Sequence, residues 1–235
     1  MRRIATMNIR RGGGAAERLA RVVATLEKFD ADVLVVTEFR VGANGKFLVD
    51  ALISSGYEVT HPDVTPSANA VLIASRSPIL SARPMGESMA DRRHLWAADL
   101  GWTTLGGVYM PNLKAKLPYW DALITEAAAG VSRQLLIGDF NTGDNLLDRD
   151  PKGVRYEGAD RIPLLLRAGF TDAWRTRHPA IREYSWFSNS GNGFRLDQTY
   201  LQSRLETMVV SCEYDHTPRL DGVTDHSAMI LGLAV

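Results

Sequence analysis

Several apolar stretches of this chain are short, uninterrupted and closed by a polar side chain, and no other feature constrains the fold as strongly. Residues 32–37 (Asp-Val-Leu-Val-Val-Thr) and 134–137 (Gln-Leu-Leu-Ile) lack the alternation that a strand with one wet face would show. Such strands are covered on both faces. A chain with several of them needs sheets packed on one another and roofed by helices. Residues 4–9, 57–60, 70–75, 95–100 and 105–109 read as further strands, with later ones around Ser185 and at 196–201, 207–210 and 228–231. Helical spacing links Leu19, Val22, Val23 and Leu26 within residues 15–28. Residues 46–54, 119–129 and 160–168 also read as helices, ending near Gly56, Gly130 and Gly169. The expected class is α/β (α+β).

The 235 residues fit one layered domain spanning 1–235. Hydrophobic residues make up 45% and charged residues 23%, which excludes a disordered chain, a collagen and a coiled coil. Cys212 is the one cysteine, so a disulfide framework and a cysteine-based zinc or iron–sulfur site are excluded. Low cysteine use fits a reducing compartment. The apolar stretch after Arg2 and Arg3 is broken by Asn8 and Arg10, short of the roughly 7–15 apolar residues of a signal peptide. No run approaches the roughly 18–20 apolar residues of a membrane helix. The expectation is a soluble, cytoplasmic protein. Lys plus Arg (27) equals Asp plus Glu (27), so the net charge of 0 does not advertise nucleic-acid binding. A basic face around an acidic centre sums to the same value.

The strand ends carry the chemistry. Asn8, Glu38, Tyr109 with Asn112, Asp139 with Asn141, Asp197, and Asp225 with His226 each stand at the border of an apolar run. If they converge, Glu38 and Asp225 are hard oxygen ligands and Asn8 adds a neutral oxygen. That set suits Mg²⁺, with Mn²⁺ as a substitute. Asp139 is then the base for water, His226 a cation on phosphate, and Asp197 the carboxylate that holds its ring. Asn141 and Tyr109 supply donors. No Gly-x-Ser-x-Gly elbow is present and Cys212 has no patterned neighbours, so metal-assisted attack by water is favoured over a covalent intermediate. Gly12-Gly13-Gly14 lacks the Gly-Lys-Ser/Thr of a phosphate loop and is expected to shape the turn into the first helix. Trp102, Trp120 and Trp174 are expected in the core. Asp172 is expected to anchor a loop, and Asp144, Asp148 and Asp150 to form a solvated acidic stretch.

These motifs resemble the endonuclease/exonuclease/phosphatase superfamily, and within it the exonuclease III-like apurinic/apyrimidinic (AP) endonucleases. Gly138-Asp-Phe-Asn141 resembles the family's Gly-Asp-Leu/Met-Asn, and Thr224-Asp-His-Ser227 its Ser-Asp-His-Ala/Cys/Ser. Tyr109-Met-Pro-Asn112, Gly169-Phe-Thr-Asp172-Ala-Trp-Arg175, and Tyr184-Ser-Trp-Phe187 with Phe194-Arg-Leu-Asp197 resemble the AP endonuclease branch. The resemblance implies a four-layer αββα sandwich of the deoxyribonuclease I type. It implies Glu38, Asn8 and Asp225 on the metal. Asp139 would act on the water. Asn141, Asn8 and His226 would hold the phosphate, with Asp197 orienting His226 and Tyr109 near the leaving group. Trp186, Phe194 and Leu196 would wall an apolar pocket for a flipped-out abasic sugar, which excludes a nucleotide that keeps its base.

The implied substrate is double-stranded DNA with abasic or 3′-blocked sites, cut by a monomer. Arg10 and Arg11, just after Asn8, are best placed to bind it, with Arg40, Arg92, Arg93, Arg175 and Arg177 as further candidates for a basic face. Departures from the pattern are Phe39-Arg40 for the usual Thr-Lys, short segments after Asn112 and at 189–193, and Gln198 for an aromatic or aliphatic residue. Neutral charge and short loops keep open a phosphoesterase acting on an inositol phosphate or a phospholipid head group. A non-catalytic binding protein on the same fold is the third reading.

Overall fold

The computed structural model describes residues 1–86, 89, 91–130 and 133–235. Among them, two six-stranded sheets face each other. The first contains β1 (Arg2–Asn8), β2 (Val33–Phe39), β3 (Glu58–Thr60), β4 (Ala70–Ser75), β13 (Val209–Asp215) and β14 (Ala228–Leu233), in the order β13-β14-β1-β2-β4-β3. The second contains β5 (Ser81–Pro84), β6 (Leu95–Asp99), β7 (Thr104–Tyr109), β8 (Gln134–Asp139), β9 (Phe170–Asp172) and β12 (Asp197–Gln202), in the order β5-β6-β7-β8-β12-β9. Each sheet has a parallel central pair, β1 with β2 and β7 with β8, flanked by antiparallel strands. A short hairpin, β10 (Trp186–Phe187) with β11 (Gly193–Phe194), stands apart from both.

The continuous apolar runs are covered on both faces. Along β2, Val33 and Val35 point between the sheets while Leu34 and Val36 point outward. Along β8, Leu135 and Ile137 point between the sheets and Leu136 outward. The outward face of the first sheet lies under α1 (Ala16–Lys28) and α2 (Ala43–Ser54), through Leu19, Val22, Leu26, Leu48 and Leu52. The outward face of the second lies under α3 (Leu117–Ala128) and α4 (Ile162–Arg167), through Trp120, Leu123 and Leu165. Three apolar interfaces separate four layers, the expected αββα sandwich. Each fully buried Leu, Ile or Val is stabilised by about 1.5–3 kcal/mol relative to exposure.

Three further short helices are α5 (Ala173–Arg177), α6 (Ser203–Glu206) and α7 (Thr217–Leu220). Asp172 anchors α5, its Oδ1 accepting from Trp174 N and Arg175 N, as the sequence led us to expect of a loop anchor. β5, β9 and α5 have no counterpart in the sequence reading, because elements this short show no period. No helix among the described residues is long and apolar enough to cross a membrane.

Candidate active site

Strand direction gathers the polar residues. The parallel pairs β1–β2 and β7–β8 end at one edge of the sandwich, which brings Asn8, Glu38, Tyr109 and Asp139 to that edge. β4, β12 and β14 run antiparallel to them and therefore begin there. That places Asn69, Asp197 and the Asp225-His226 pair at the same edge. Asp139 and Asp197 are register partners across β8 and β12.

Local backbone conformation aims the side chains. Glu38 has φ of +57° within a register shift of β2 between Val36 and Phe39. This bulge turns its carboxylate out of the strand alternation. Gly138 has φ of +145°, and a Cβ there would lie 2.0 Å from Val108 O. Only glycine lets β8 approach β7 so closely just before Asp139. Arg10 to Gly14 all have positive φ, a left-handed turn that carries Arg10 and Arg11 to the mouth of the site.

The hydrogen bonds form one network. Asn8 Nδ2 donates to Asp139 Oδ2 at 2.9 Å and to Glu38 Oε1 at 3.3 Å, while its Oδ1 accepts from Arg10 N at 2.9 Å. Asn8 thus joins two carboxylates with its nitrogen, and its oxygen faces the backbone. Asp139 Oδ1 accepts from Asn141 N at 2.9 Å, and Asn141 Nδ2 donates to Met110 O at 2.8 Å. Asp197 Oδ2 lies 2.8 Å from His226 Nδ1. Asp197 Oδ1 is buried without a partner.

Burial sets the protonation states. Asp139 is pushed up to about 7, first by burial and then by the Asp197 charge; His226 and the hydrogen bonds from Asn141 N and Asn8 oppose this. Burial alone would lower the pKa of His226, but the charge of Asp197 and its hydrogen bond outweigh it and raise the ring to about 10. His226 is therefore an imidazolium at neutral pH, with Nδ1 on Asp197 and Nε2 left to donate. Burial, then the charge of Glu38, pushes Tyr109 up to about 12, so its hydroxyl keeps its proton.

A cleft of about 550 Å³ opens on this edge, lined among others by Glu38, Asp139, Asn141, Asp225 and His226. Trp186, Phe194 and Leu196 form its apolar wall, and Arg10, Arg11 and Asn112 also face it. Trp186 and Phe194 are 5.9 Å apart at their ring centroids, and Trp186 Nε1 donates to Asp225 Oδ2 at 3.4 Å. The apolar wall and the acidic centre are thus in contact. Asn8, Tyr109 and Asp197 stand behind the cleft surface.

Two sets of donors at this edge differ in how well they suit a divalent cation. Asp139, Asp197 and His226 offer atoms within 4.8 Å of one another. In that trio His226 Nδ1 is engaged by Asp197 and the imidazolium repels a cation. Glu38 and Asp225 instead present hard carboxylate oxygens to an open cleft. Glu38 Oε1 carries one long hydrogen bond, from Asn8, and Asp225 holds Arg10 Nε at 3.7 Å. Two carboxylates with room for water and phosphate suit Mg²⁺.

Some residues differ from expectation. Asp148 is not solvated. It is 1% exposed and bound by Arg195 and Arg175, because Arg195, distant in sequence, threads under its loop. Arg175 and Arg177 are tied to Asp148 and Glu206 and do not join the cleft. Gln198 is buried, donating to the carbonyls of Thr142 and Arg195 and accepting from Tyr200 OH. The sequence reading also missed two neighbours of the site. Asn69 donates to Glu38 Oε2 and Tyr109 OH, each at 3.1 Å. Lys116, 3% exposed, donates to Asn141 O and lines the cleft. Burial lowers its pKa to about 8 against the charges of Asp139 and Glu157.

Among solved structures, an AP endonuclease from Archaeoglobus fulgidus shares 24% identity over 100% of both chains, with a TM-score of 0.88. A 3′ phosphatase from Neisseria, bound to a product DNA hairpin, shares 22% over 99% of both chains, with a TM-score of 0.85. A 3′-5′ exonuclease from Neisseria meningitidis shares 23% over 99% of this chain and 100% of that one, with a TM-score of 0.85. At these identities the likeness establishes the fold. No curated protein matches the chain in sequence. The Endonuclease/Exonuclease/phosphatase family matches residues 5–226, nearly the whole chain. This span takes in each strand-end residue from Asn8 to His226, and the chain belongs to that family of phosphate-ester hydrolases.

Proposed function

We propose that this enzyme is a Mg²⁺-dependent DNA repair nuclease that hydrolyses the backbone 5′ to abasic sites and trims blocked 3′ ends. The observation that carries the reading is the apolar wall of Trp186, Phe194 and Leu196 in direct contact with the acidic centre. A dry wall beside a phosphate site accepts a bare deoxyribose and rejects a nucleotide that keeps its base. The AP endonuclease and the DNA-bound 3′ phosphatase of similar fold support the same class.

Glu38 and Asp225 would hold the metal, which when bound polarises the phosphate and neutralises developing charge. Asp139 takes the proton of the attacking water; its pKa near 7 matches that task. His226 donates from Nε2 to a non-bridging phosphate oxygen, and Asp197 fixes its ring and its charge. Asn141, fixed by Met110 O, orients the same phosphate. Tyr109 keeps its proton and donates near the departing 3′ oxygen. Arg10 and Arg11 hold flanking phosphates, and Asn8 sets the spacing of Glu38 and Asp139.

The test is a labelled duplex carrying one abasic-site analogue, incubated with Mg²⁺ or EDTA, with wild type and Asp139→Ala. A Mg²⁺-dependent nick 5′ to the lesion, absent in the variant, is expected. No nick from folded, Mg²⁺-supplied protein would sink the reading. It would favour the second one, hydrolysis of an inositol phosphate or phospholipid head group, which the net charge of 0 and the presence of Glu157 in the cleft wall support.

A further inference from the structure

Asn69 belongs to neither the apolar wall nor the acidic centre, yet the network closes on it. Its Nδ2 donates to Glu38 Oε2 at 3.1 Å and to Tyr109 OH at 3.1 Å. Its Oδ1 accepts from Arg40 Nε at 2.5 Å, and its backbone carbonyl accepts from Arg93 Nη1 at 3.2 Å. A primary amide has two hydrogens and one strong acceptor, and all three are engaged. Turning the amide over would set its oxygen against the Glu38 carboxylate and its NH₂ against the Arg40 guanidinium. The chemistry of the neighbours therefore fixes its orientation.

The two groups it joins come from different sheets. Glu38 lies one residue before the end of β2 of the first sheet, on a bulge with a left-handed φ. Tyr109 ends β7 of the second. Glu38 Oε2 also accepts from Arg11 N at 2.8 Å, within the left-handed turn of the first sheet. Asn8 makes the corresponding link from Glu38 to Asp139, at 3.3 and 2.9 Å. The Tyr109 hydroxyl accepts from Asn69, so its own hydrogen is free to point into the site.

We propose that Asn69 is a positioning residue that ties Glu38 to Tyr109, so that a divalent cation on Glu38 and the Tyr109 hydroxyl reach the same phosphate group. This rests on the metal-dependent reading above. Arg40 acts through it, by locking the amide in its donating orientation. That gives a role to one of the sequence's departures, the Phe-Arg that follows Glu38. Substitutions that disturb the partner of a metal ligand weaken binding by about 10–100-fold, and Asn69 is such a partner.

The test uses the metal-stripped chain with Mn²⁺ as probe, first without substrate and then with the abasic-site duplex. Mn²⁺ binding is followed by electron paramagnetic resonance for wild type, Asn69→Leu and Asn69→Ser. The serine variant is small enough to fold should leucine crowd the edge, and too short to bridge both partners. Expected is a weakening of about 10–100-fold in both folded variants. At saturating Mn²⁺, the loss in nicking should fall on kcat with KM within about twofold, and it should shrink in a Tyr109→Phe background. Mn²⁺ affinity within about twofold of wild type in either folded variant would overturn the tie. So would effects of Asn69→Leu and Tyr109→Phe that simply multiply. A wild type that binds Mn²⁺ but does not nick DNA strikes the substrate reading, while the Mn²⁺ titration still decides the role of Asn69.

Discussion

Two clusters of buried charge lie a few residues apart on one stretch of chain, and they are built in opposite ways. Around Arg195, every charge is matched. Its guanidinium reaches Asp148 Oδ1 at 2.7 Å and Oδ2 at 2.9 Å, and Asp172 Oδ2 at 2.5 Å. Arg175 adds a second guanidinium on Asp148 at 2.5 Å, and Asp144 N closes the remaining direction. Both guanidiniums lie over the Trp174 ring, at 4.9 and 5.3 Å. Around Asp197, two carboxylates share one imidazolium, one carboxylate oxygen has no partner, and Asp139 is held near 7. The first cluster fixes where Leu196 and Asp197 stand. The second keeps an electrostatic imbalance that a water proton and a phosphate can resolve. Buried charge is therefore not one signal: a saturated set holds structure, and an unsaturated set at a cleft holds reactivity.

Removing one carboxylate from each cluster should separate these roles. Asp139→Asn is expected to lower kcat by about 10²–10⁴-fold, the usual worth of a general base. Its melting temperature should hold or rise, because the lost carboxylate was desolvated and repelled by Asp197. Asp148→Asn should do the reverse. It strips Arg195 of its bidentate partner and should cost about 3–5 kcal/mol, as breaking a buried pair does. The residual activity per folded molecule should stay within an order of magnitude of wild type. Denaturant unfolding beside nicking kinetics measures both; equal stability losses in the two variants would erase the distinction.

The same contrast should be visible in acid. The Asp148 pKa lies below its ordinary value: burial raises it, but the charge and hydrogen bonds of Arg195, with the bonds from Asp144 N and Arg175, outweigh that. A depressed carboxylate adds stability above its unfolded pKa, near 4, and loses it as pH falls through the lower folded value. The Asp139 pKa is raised, so its contribution is present below about 4 and is lost as pH rises towards about 7. In EDTA, Asp148→Asn should flatten the acid limb of the stability curve below pH 4. Asp139→Asn should flatten the decline between about 4 and 7. Urea midpoints across pH 2–8 would show whether each variant acts on its own limb.

Strand chemistry explains what was legible in the sequence. Asn8, Glu38, Tyr109 and Asp139 could be found because each follows an apolar run on a strand of the parallel pairs, where the end of the run is the edge of the sandwich. Asn69 precedes its run, and it lies at the same edge only because β4 is antiparallel to β2. That fact is topological and not written locally. Asp148 looked solvated because Asp144 and Asp150 flank it, while Arg195, its partner, lies 47 positions away in sequence. The four layers were readable from unbroken runs such as that of β8. The saturated cluster was not, since no local pattern announces a buried ion pair.

Lys116 tests the boundary between the two designs with the smallest expected effect. It is buried like Arg195, but it has no carboxylate of its own: its ammonium donates to Asn141 O and feels Asp139 and Glu157 at longer range. Asn141 has φ of +45°, a conformation that a non-glycine residue holds only when its surroundings impose it. Three bonds impose it, from Asn141 N to Asp139, from Nδ2 to Met110 O, and from Lys116 to its carbonyl. Lys116→Met removes one of the three together with a positive charge on the cleft wall. A loss of about tenfold in kcat is expected, equivalent to about 1.4 kcal/mol of transition-state stabilisation. Lys116→Arg keeps the charge and should recover most of it if charge is the larger part. If the anchoring of Asn141 is the larger part, the planar fork of arginine will not fit the single carbonyl and the loss will persist. In the first case Lys116 belongs with the reactive cluster, and in the second it is a structural cation that happens to line the cleft.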